Sequence, residues 1–162
     1  MNILNKKMEA ALEELNDIIN TVDYYSVSKI ANTVFCEIEG CILRNKGTQI
    51  GSFNIERILR AYNDRTGYEA SYNEVRINDY VEDFKHGPIE GLALALRVMA
   101  DWKNQLKKCF PNYTLHIVVV YDGEFTTLRV YKFREEDGSW IAIDNLDGYN
   151  SEAVMVMVIA QE

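Results

Sequence analysis

The sequence predicts an α+β fold: N-terminal helices, then a central amphipathic helix, then a C-terminal antiparallel sheet of three to four strands. Three observations predict it. Apolar residues recur at three- and four-residue steps as far as Phe110. Beyond Pro111-Asn112 the period falls to two. Asp122-Gly123 then interrupts the alternating run, a strong signal for a two-residue hairpin turn.

Each element has its own warrant. Ile3, Leu4, Met8, Ala11, Leu12, Leu15, Ile18, Ile19 and Val22 form one apolar stripe, which predicts a helix over 3–22. A second helix is expected from Val27, Ile30, Ala31, Val34, Phe35, Ile38 and Ile42. The β-branched content of 33–39 also permits a strand, but the longer period favours helix. Gly47 and Gly51 end this element. A third helix spans about 54–66 on Ile55, Ile58, Leu59 and Tyr62, with Gly67 where a left-handed C-cap is wanted. Residues 68–84 show no clear period, and Asn78 is placed to cap a short helix carrying Tyr80, Val81 and Phe84, with a short strand or loop before it.

The central helix starts at His86-Gly87-Pro88, because proline already has a helical φ and Glu90 complements the positive helix end. Its stripe is Leu92, Ala95, Leu96, Met99, Trp102, Leu106 and Phe110. Strands follow over 113–121 and 124–134. A two-residue turn would set Val120 opposite Phe125, Ile117 opposite Leu128 and His116 opposite Arg129. Leu115, Ile117, Val119, Leu128 and Val130 then face the core, and His116, Val118, Val120, Phe125, Thr127, Arg129 and Tyr131 face away. A third strand is expected at 139–143. The apolar run 153–160 reads as an interior strand.

Size and charge bound the function. The 162 residues suit a single domain over 1–162, with two prolines and no linker-like or repeated stretch. A net charge of −8 disfavours nucleic acid, which requires a basic face. The segment from Tyr121 onward holds nine acids against three bases and so supplies −6 of that charge. Such a field speeds encounter with a basic partner, although solubility alone also explains it. The start, Met1-Asn2-Ile3-Leu4-Asn5-Lys6-Lys7, lacks the apolar core of a signal peptide, and no run approaches the roughly 18 residues of a membrane span. Three cysteines make an odd number for a disulfide framework. The expected compartment is the cytoplasm, with no membrane partner.

Motifs for chemistry are missing. His86 and His116 have no Ser, Cys or carboxylate at motif spacing and read as structural. Cys36, Cys41 and Cys109 offer no zinc-type pair and read as small buried groups. The run Asp144 to Glu152 resembles a calcium loop only in composition. With Gly148 at position six, Ile143 and Val154 occupy the positions that need carboxylates. Gly47 to Gly51 lacks the Lys-Ser/Thr of a phosphate-binding loop, and neither GxGxxG nor GxSxG occurs. No catalytic residue, cofactor or metal is therefore expected. Ten tyrosines and two tryptophans remain, of which Trp140 and Tyr149 flank the acidic loop. Aromatics beside carboxylates suit a docking surface. The candidate partner-binding residues are Glu135, Glu136, Asp137, Trp140, Asp144, Asp147 and Tyr149.

The half of the chain running from the Pro88 helix through Asp122-Gly123 to Ser139-Trp140 and Asp147-Gly148-Tyr149 resembles small immunity proteins of bacterial toxin systems. The likeness is one of style, without a diagnostic motif. It implies a cytosolic, non-enzymatic protein that binds a cognate toxin domain, frequently a nuclease, and it transfers no binding residues. Two alternatives stay open: a small enzyme or ligand-binding protein with its site between helices and sheet, and a regulatory or phage adaptor that assembles through a strand edge.

Overall fold

The turn at Asp122 decides the sheet. In the computed structural model, which describes residues 1–46 and 53–161, the Asp122 carboxylate accepts from the backbone N–H groups of Glu124 and Phe125 at 2.9 and 2.7 Å. The Asp122 N–H in turn donates to Phe125 O at 3.2 Å. Four residues are thus held in the loop between β5 (Leu115–Tyr121) and β6 (Thr126–Lys132). The register is Val120 opposite Thr127 and Val119 opposite Leu128. It is offset by two residues from the one a two-residue turn predicts. A shift of two leaves every side chain on its expected face. Leu115, Ile117, Val119, Leu128 and Val130 are accordingly all fully buried.

The fold class is α+β, with a multi-stranded antiparallel sheet. Its five strands run β1-β7-β5-β6-β4, where β1 is Asn2–Leu4, β4 is Val75–Arg76 and β7 is Ala153–Ile159. β7 is an interior strand, as its apolar run predicts. The two edge strands come from the N-terminal half, so helices do not simply precede sheet. One face packs on α1 (Lys6–Leu15) and α5 (Ile89–Cys109). The other face carries a second buried cluster, in which Val118, Tyr131, Val154 and Val156 meet Ala70, Ile141 and Leu146. Burial on both sides explains why β5 and β7 read as nearly continuous apolar runs.

Several predicted elements are corrected. The helix expected over 3–22 is β1 followed by the shorter α1. The helix expected through Ile42 stops at α2 (Ser28–Ala31), and a hairpin of β2 (Phe35–Ile38) and β3 (Cys41–Arg44) follows. Its turn residues Glu39 and Gly40 both have positive φ, +50° and +80°, as a tight primed turn requires. Trp102 Nε1 donates to Ile30 O at 2.9 Å and Gln105 Nε2 to Ala31 O at 2.9 Å. The carbonyls at the end of α2 thus accept from α5 side chains, Ile30 O in addition to the Thr33 N–H. Val34, assigned to a buried helical face, is 61% exposed.

The helix expected over 54–66 is two helices, α3 (Ile55–Tyr62) and α4 (Arg65–Tyr72). Asn63, with φ +65°, ends the first and the Asp64 carboxylate caps the second. Gly67 is therefore inside α4 and not a C-cap. Asn78 caps no helix; its side chain bonds Glu124 O and Thr126 N at 3.1 Å each. No strand forms at 139–143. That stretch crosses the second sheet face and enters a short 3-10 segment, Ile143–Gly148. Gly47 and Gly51 lie outside the described residues.

Candidate functional site

The return segment 133–152 carries all seven predicted partner-binding residues. It leaves the sheet at Lys132, paired with Leu115, and re-enters at Ala153, paired with Tyr121. Those rows are six strand steps apart, about 20 Å, so the residues form a stripe with two ends. Glu135 and Glu136 are exposed at one end, on the tight turn closed by the Gly138 N–H to Arg134 O bond at 2.9 Å. Asp144 is exposed toward the other.

Two of the seven work locally. Asp137 Oδ2 accepts from Thr66 Oγ1 at 3.0 Å and from Thr66 N at 3.4 Å, at the start of α4. Asp147 Oδ1 accepts from Lys6 N at 2.9 Å, at the start of α1. Both carboxylates complement the positive end of a helix.

Between the ends lies a cleft of about 350 Å³ lined by Val120, Arg129, Trp140, Ile141, Tyr149 and Glu152. Trp140 is 39% exposed, and the Arg129 guanidinium stands 4.8 Å from its ring centroid. Arg129 also pairs with Glu74 and donates to Thr127 Oγ1. Its charge is thus held under an aromatic plane and matched by a carboxylate. The Tyr149 hydroxyl accepts from Ala142 N at 3.2 Å. The structure therefore brings Trp140 and Tyr149 together and leaves Glu135 and Glu136 apart from Asp144 and Asp147.

What fixes the segment was not legible in the sequence. Asn5 is only 2% exposed. Its Oδ1 accepts from Met8 N and Val154 N, both at 2.9 Å. Its Nδ2 donates to Glu152 O at 2.8 Å and lies within 3.4 Å of the Leu146 and Tyr149 carbonyls. One side chain thus caps α1, extends the sheet ladder past β1 and ties down the acidic loop.

At the other end, Glu69 is fully buried. It accepts from Ile42 N at 2.6 Å, from Lys132 N at 2.7 Å and from both Arg134 Nη atoms at 2.7 and 3.1 Å. Asn73, one turn later at the C-cap of α4, donates to Ile42 O and Val130 O at 2.8 and 2.9 Å and accepts from Arg44 N at 2.7 Å. These two residues join the β3 and β6 backbones where no strand lies between them. Nearby, burial and then the Glu69 charge push the Cys41 thiol up to about 11, so it stays protonated. Cys109, read as buried, is exposed.

The model of the Uncharacterized protein PM0498 family matches residues 3–161. The chain belongs to that family. It is similar to Uncharacterized protein PM0498 of Pasteurella multocida (strain Pm70), with 22% identity over 143 residues, 83% of this chain and 85% of the relative. No solved structure matches the chain.

Both histidines of this family member are placed by hydrogen bonds. His86 Nε2 is 3.0 Å from Thr21 Oγ1, and the His86 backbone N–H donates to Glu90 Oε2 at 3.0 Å. His116 is 4% exposed, stacks on Phe133 and contacts the Tyr131 hydroxyl at 3.0 Å, which continues to Ser139 Oγ at 2.8 Å. Burial lowers its pKa to about 4 and keeps it neutral at pH 7. Among the described residues, no group of three or more His, Cys, Asp or Glu converges as a metal site, and no helix is long and apolar enough to cross a membrane.

Proposed function

We propose that this chain is a non-catalytic protein-binding module that neutralises a basic toxin domain by direct binding, as an immunity protein does. The observation that carries this reading is the pre-set geometry of segment 133–152. Its exposed carboxylates Glu135, Glu136 and Asp144 flank an aromatic cleft, and Asn5 and Glu69 hold the backbone on either side. A surface already ordered in the free protein loses less conformational entropy on binding. Carboxylates around it attract a basic partner, and Trp140 offers the partly buried aromatic contact that dominates many interfaces.

The test is binding kinetics. Proteins encoded by the genes beside this one are co-expressed with it, and a captured partner is measured at low and high salt. Glu135→Gln/Glu136→Gln/Asp144→Asn should slow association, most at low salt, because screening sets in over about 8–10 Å. Trp140→Ala should act on dissociation and weaken binding by about 2 kcal/mol or more. Unchanged rates in both variants at both salts would place the interface elsewhere.

A further inference from the structure

A second concave region has the opposite charge and shares no residue with that stripe. Lys29, Ile30, Asn32, Thr33, Val34, Arg44, Asn45, Lys46 and Tyr80 line a cavity of about 530 Å³. The end of α2, residues 32–34 ahead of β2, the end of β3 with the two residues after it, and Tyr80 of the 3-10 turn Ile77–Tyr80 converge on it. Among the described lining residues there are three cations and no carboxylate, in a chain of net charge −8.

Arg44 is the unusual member. It is 9% exposed, and its Nε is shut off from solvent with no hydrogen-bond partner among the described residues. A buried guanidinium donor without an acceptor is costly, and native structures rarely keep one unless something accepts from it. Lys46 stands 4.2 Å over the Tyr72 ring. Burial first, and then the Arg44 charge, lower its pKa, with Glu74 opposing. Glu74 is already engaged by Arg129. Cations gathered without matching carboxylates lack the counter-charge that an anion brings. The lining also has an apolar part, Ile30 with the exposed Val34 and Tyr80. A cavity of this volume is in the range of small-molecule sites and exceeds what a bare phosphate fills.

We propose that this cavity binds a small organic oxyanion, with Arg44, Lys46 and Lys29 holding the charged group and Val34 and Tyr80 contacting its apolar part. This goes beyond toxin binding and does not depend on it. Arg44 supplies the directional contact, since a guanidinium fork matches an oxyanion in two places, while the lysines act as point charges.

The experiment is an amide NMR titration of the full chain with inorganic phosphate, phenyl phosphate and benzoate. Phenyl phosphate should shift the Thr33, Val34 and Asn45 amides saturably and bind more tightly than inorganic phosphate. Benzoate at equal strength would assign carboxylates to the site, and weaker benzoate would assign phosphate esters; both keep the oxyanion. Arg44→Met should weaken phenyl phosphate at least about tenfold, the equivalent of one charge-assisted hydrogen bond. Because it removes an unpartnered buried donor, its melting temperature without ligand should not fall. Lys29→Gln/Lys46→Gln, at two exposed positions, should weaken binding without affecting the fold. The proposal is overturned if no probe gives a saturable shift, if Arg44→Met binds as well as wild type, or if only an acidic peptide binds.

Discussion

Asn5→Ala tests the claim that one side chain organises the acidic loop. The substitution removes the cap of α1, typically about 1 kcal/mol. It also leaves Val154 N without its acceptor and Glu152 O without its donor, in a region where Asn5 itself is 2% exposed. An unsatisfied buried polar group costs about 1–3 kcal/mol. Part of that is relieved here because the Glu152 end of the loop reaches solvent. The expected loss is therefore about 2–4 kcal/mol, read as a lower urea midpoint at unchanged slope. Asn5→Asp separates the two roles. It keeps both acceptor bonds of Oδ1 and the cap, but sets a carboxylate where Nδ2 now faces the Leu146, Tyr149 and Glu152 carbonyls. It should destabilise by at least as much as alanine. A loss below about 1 kcal/mol in Asn5→Ala, or a stable Asn5→Asp, would show that the loop holds itself and that Asn5 is only a cap.

Three further outcomes follow from the same geometry. Leu106→Ala empties a fully buried position on α5 and should lower stability by about 2–5 kcal/mol in chemical denaturation; under 1 kcal/mol would show that the helix face is loosely packed. Glu69→Ala strands the Arg134 guanidinium and two backbone N–H groups and should cost about 3–5 kcal/mol, whereas Glu56→Ala, from an ion pair about 80% exposed, should stay within about 0.5 kcal/mol. His116 has a folded pKa of about 4 against an unfolded value near 6.5. The unfolded chain thus binds the extra proton between those values. The stability from keeping His116 neutral is complete above pH 6.5 and drains away as pH falls toward 4, by up to about 3 kcal/mol. His116→Phe should flatten that part of the stability-pH curve relative to wild type, and an identical slope would show that other groups cause it.

The legible parts of the fold were those where burial alone sets the pattern. The α5 stripe, the core face of β5 and β6, and β7 all appear in the sequence because each buries a regular set of apolar side chains. What failed was governed by local polar chemistry. The apolar residues from Val27 to Ile42 fit a helical period, yet Glu39-Gly40 turns the chain, and Glu-Gly is a weaker hairpin signal than Asn-Gly. The offset at Asp122 comes from a carboxylate that takes two backbone donors and lengthens the loop. At the candidate site, Trp140 and Tyr149, which the structure brings to one cleft, were legible as aromatics beside the acidic loop. Asn5, Glu69, Asn73 and Arg134 were not, because polar residues in helices and loops read as solvated unless their partners, 57 to 149 residues away for the distant bonds of Asn73 and Asn5, are known. Asp137 and Asp147 show the same limit: charge counting cannot distinguish a free carboxylate from one that caps a helix.

The two charged regions should respond differently to ionic strength, which keeps the two readings separable. A basic protein approaching segment 133–152 senses the summed negative field of the chain before contact, so its association rate must fall as salt shortens the screening length. An oxyanion approaching the Arg44 cavity meets that same negative field as a barrier, which the lining cations Arg44, Lys46 and Lys29 oppose at the cavity. Moderate salt lowers that barrier while it competes at the site, so the two effects oppose each other and the net dependence is shallow. Partner association that steepens with falling salt, alongside phenyl phosphate affinity that barely changes, is therefore the joint signature of a chain that presents an acidic face outward and keeps a cationic cleft apart from it.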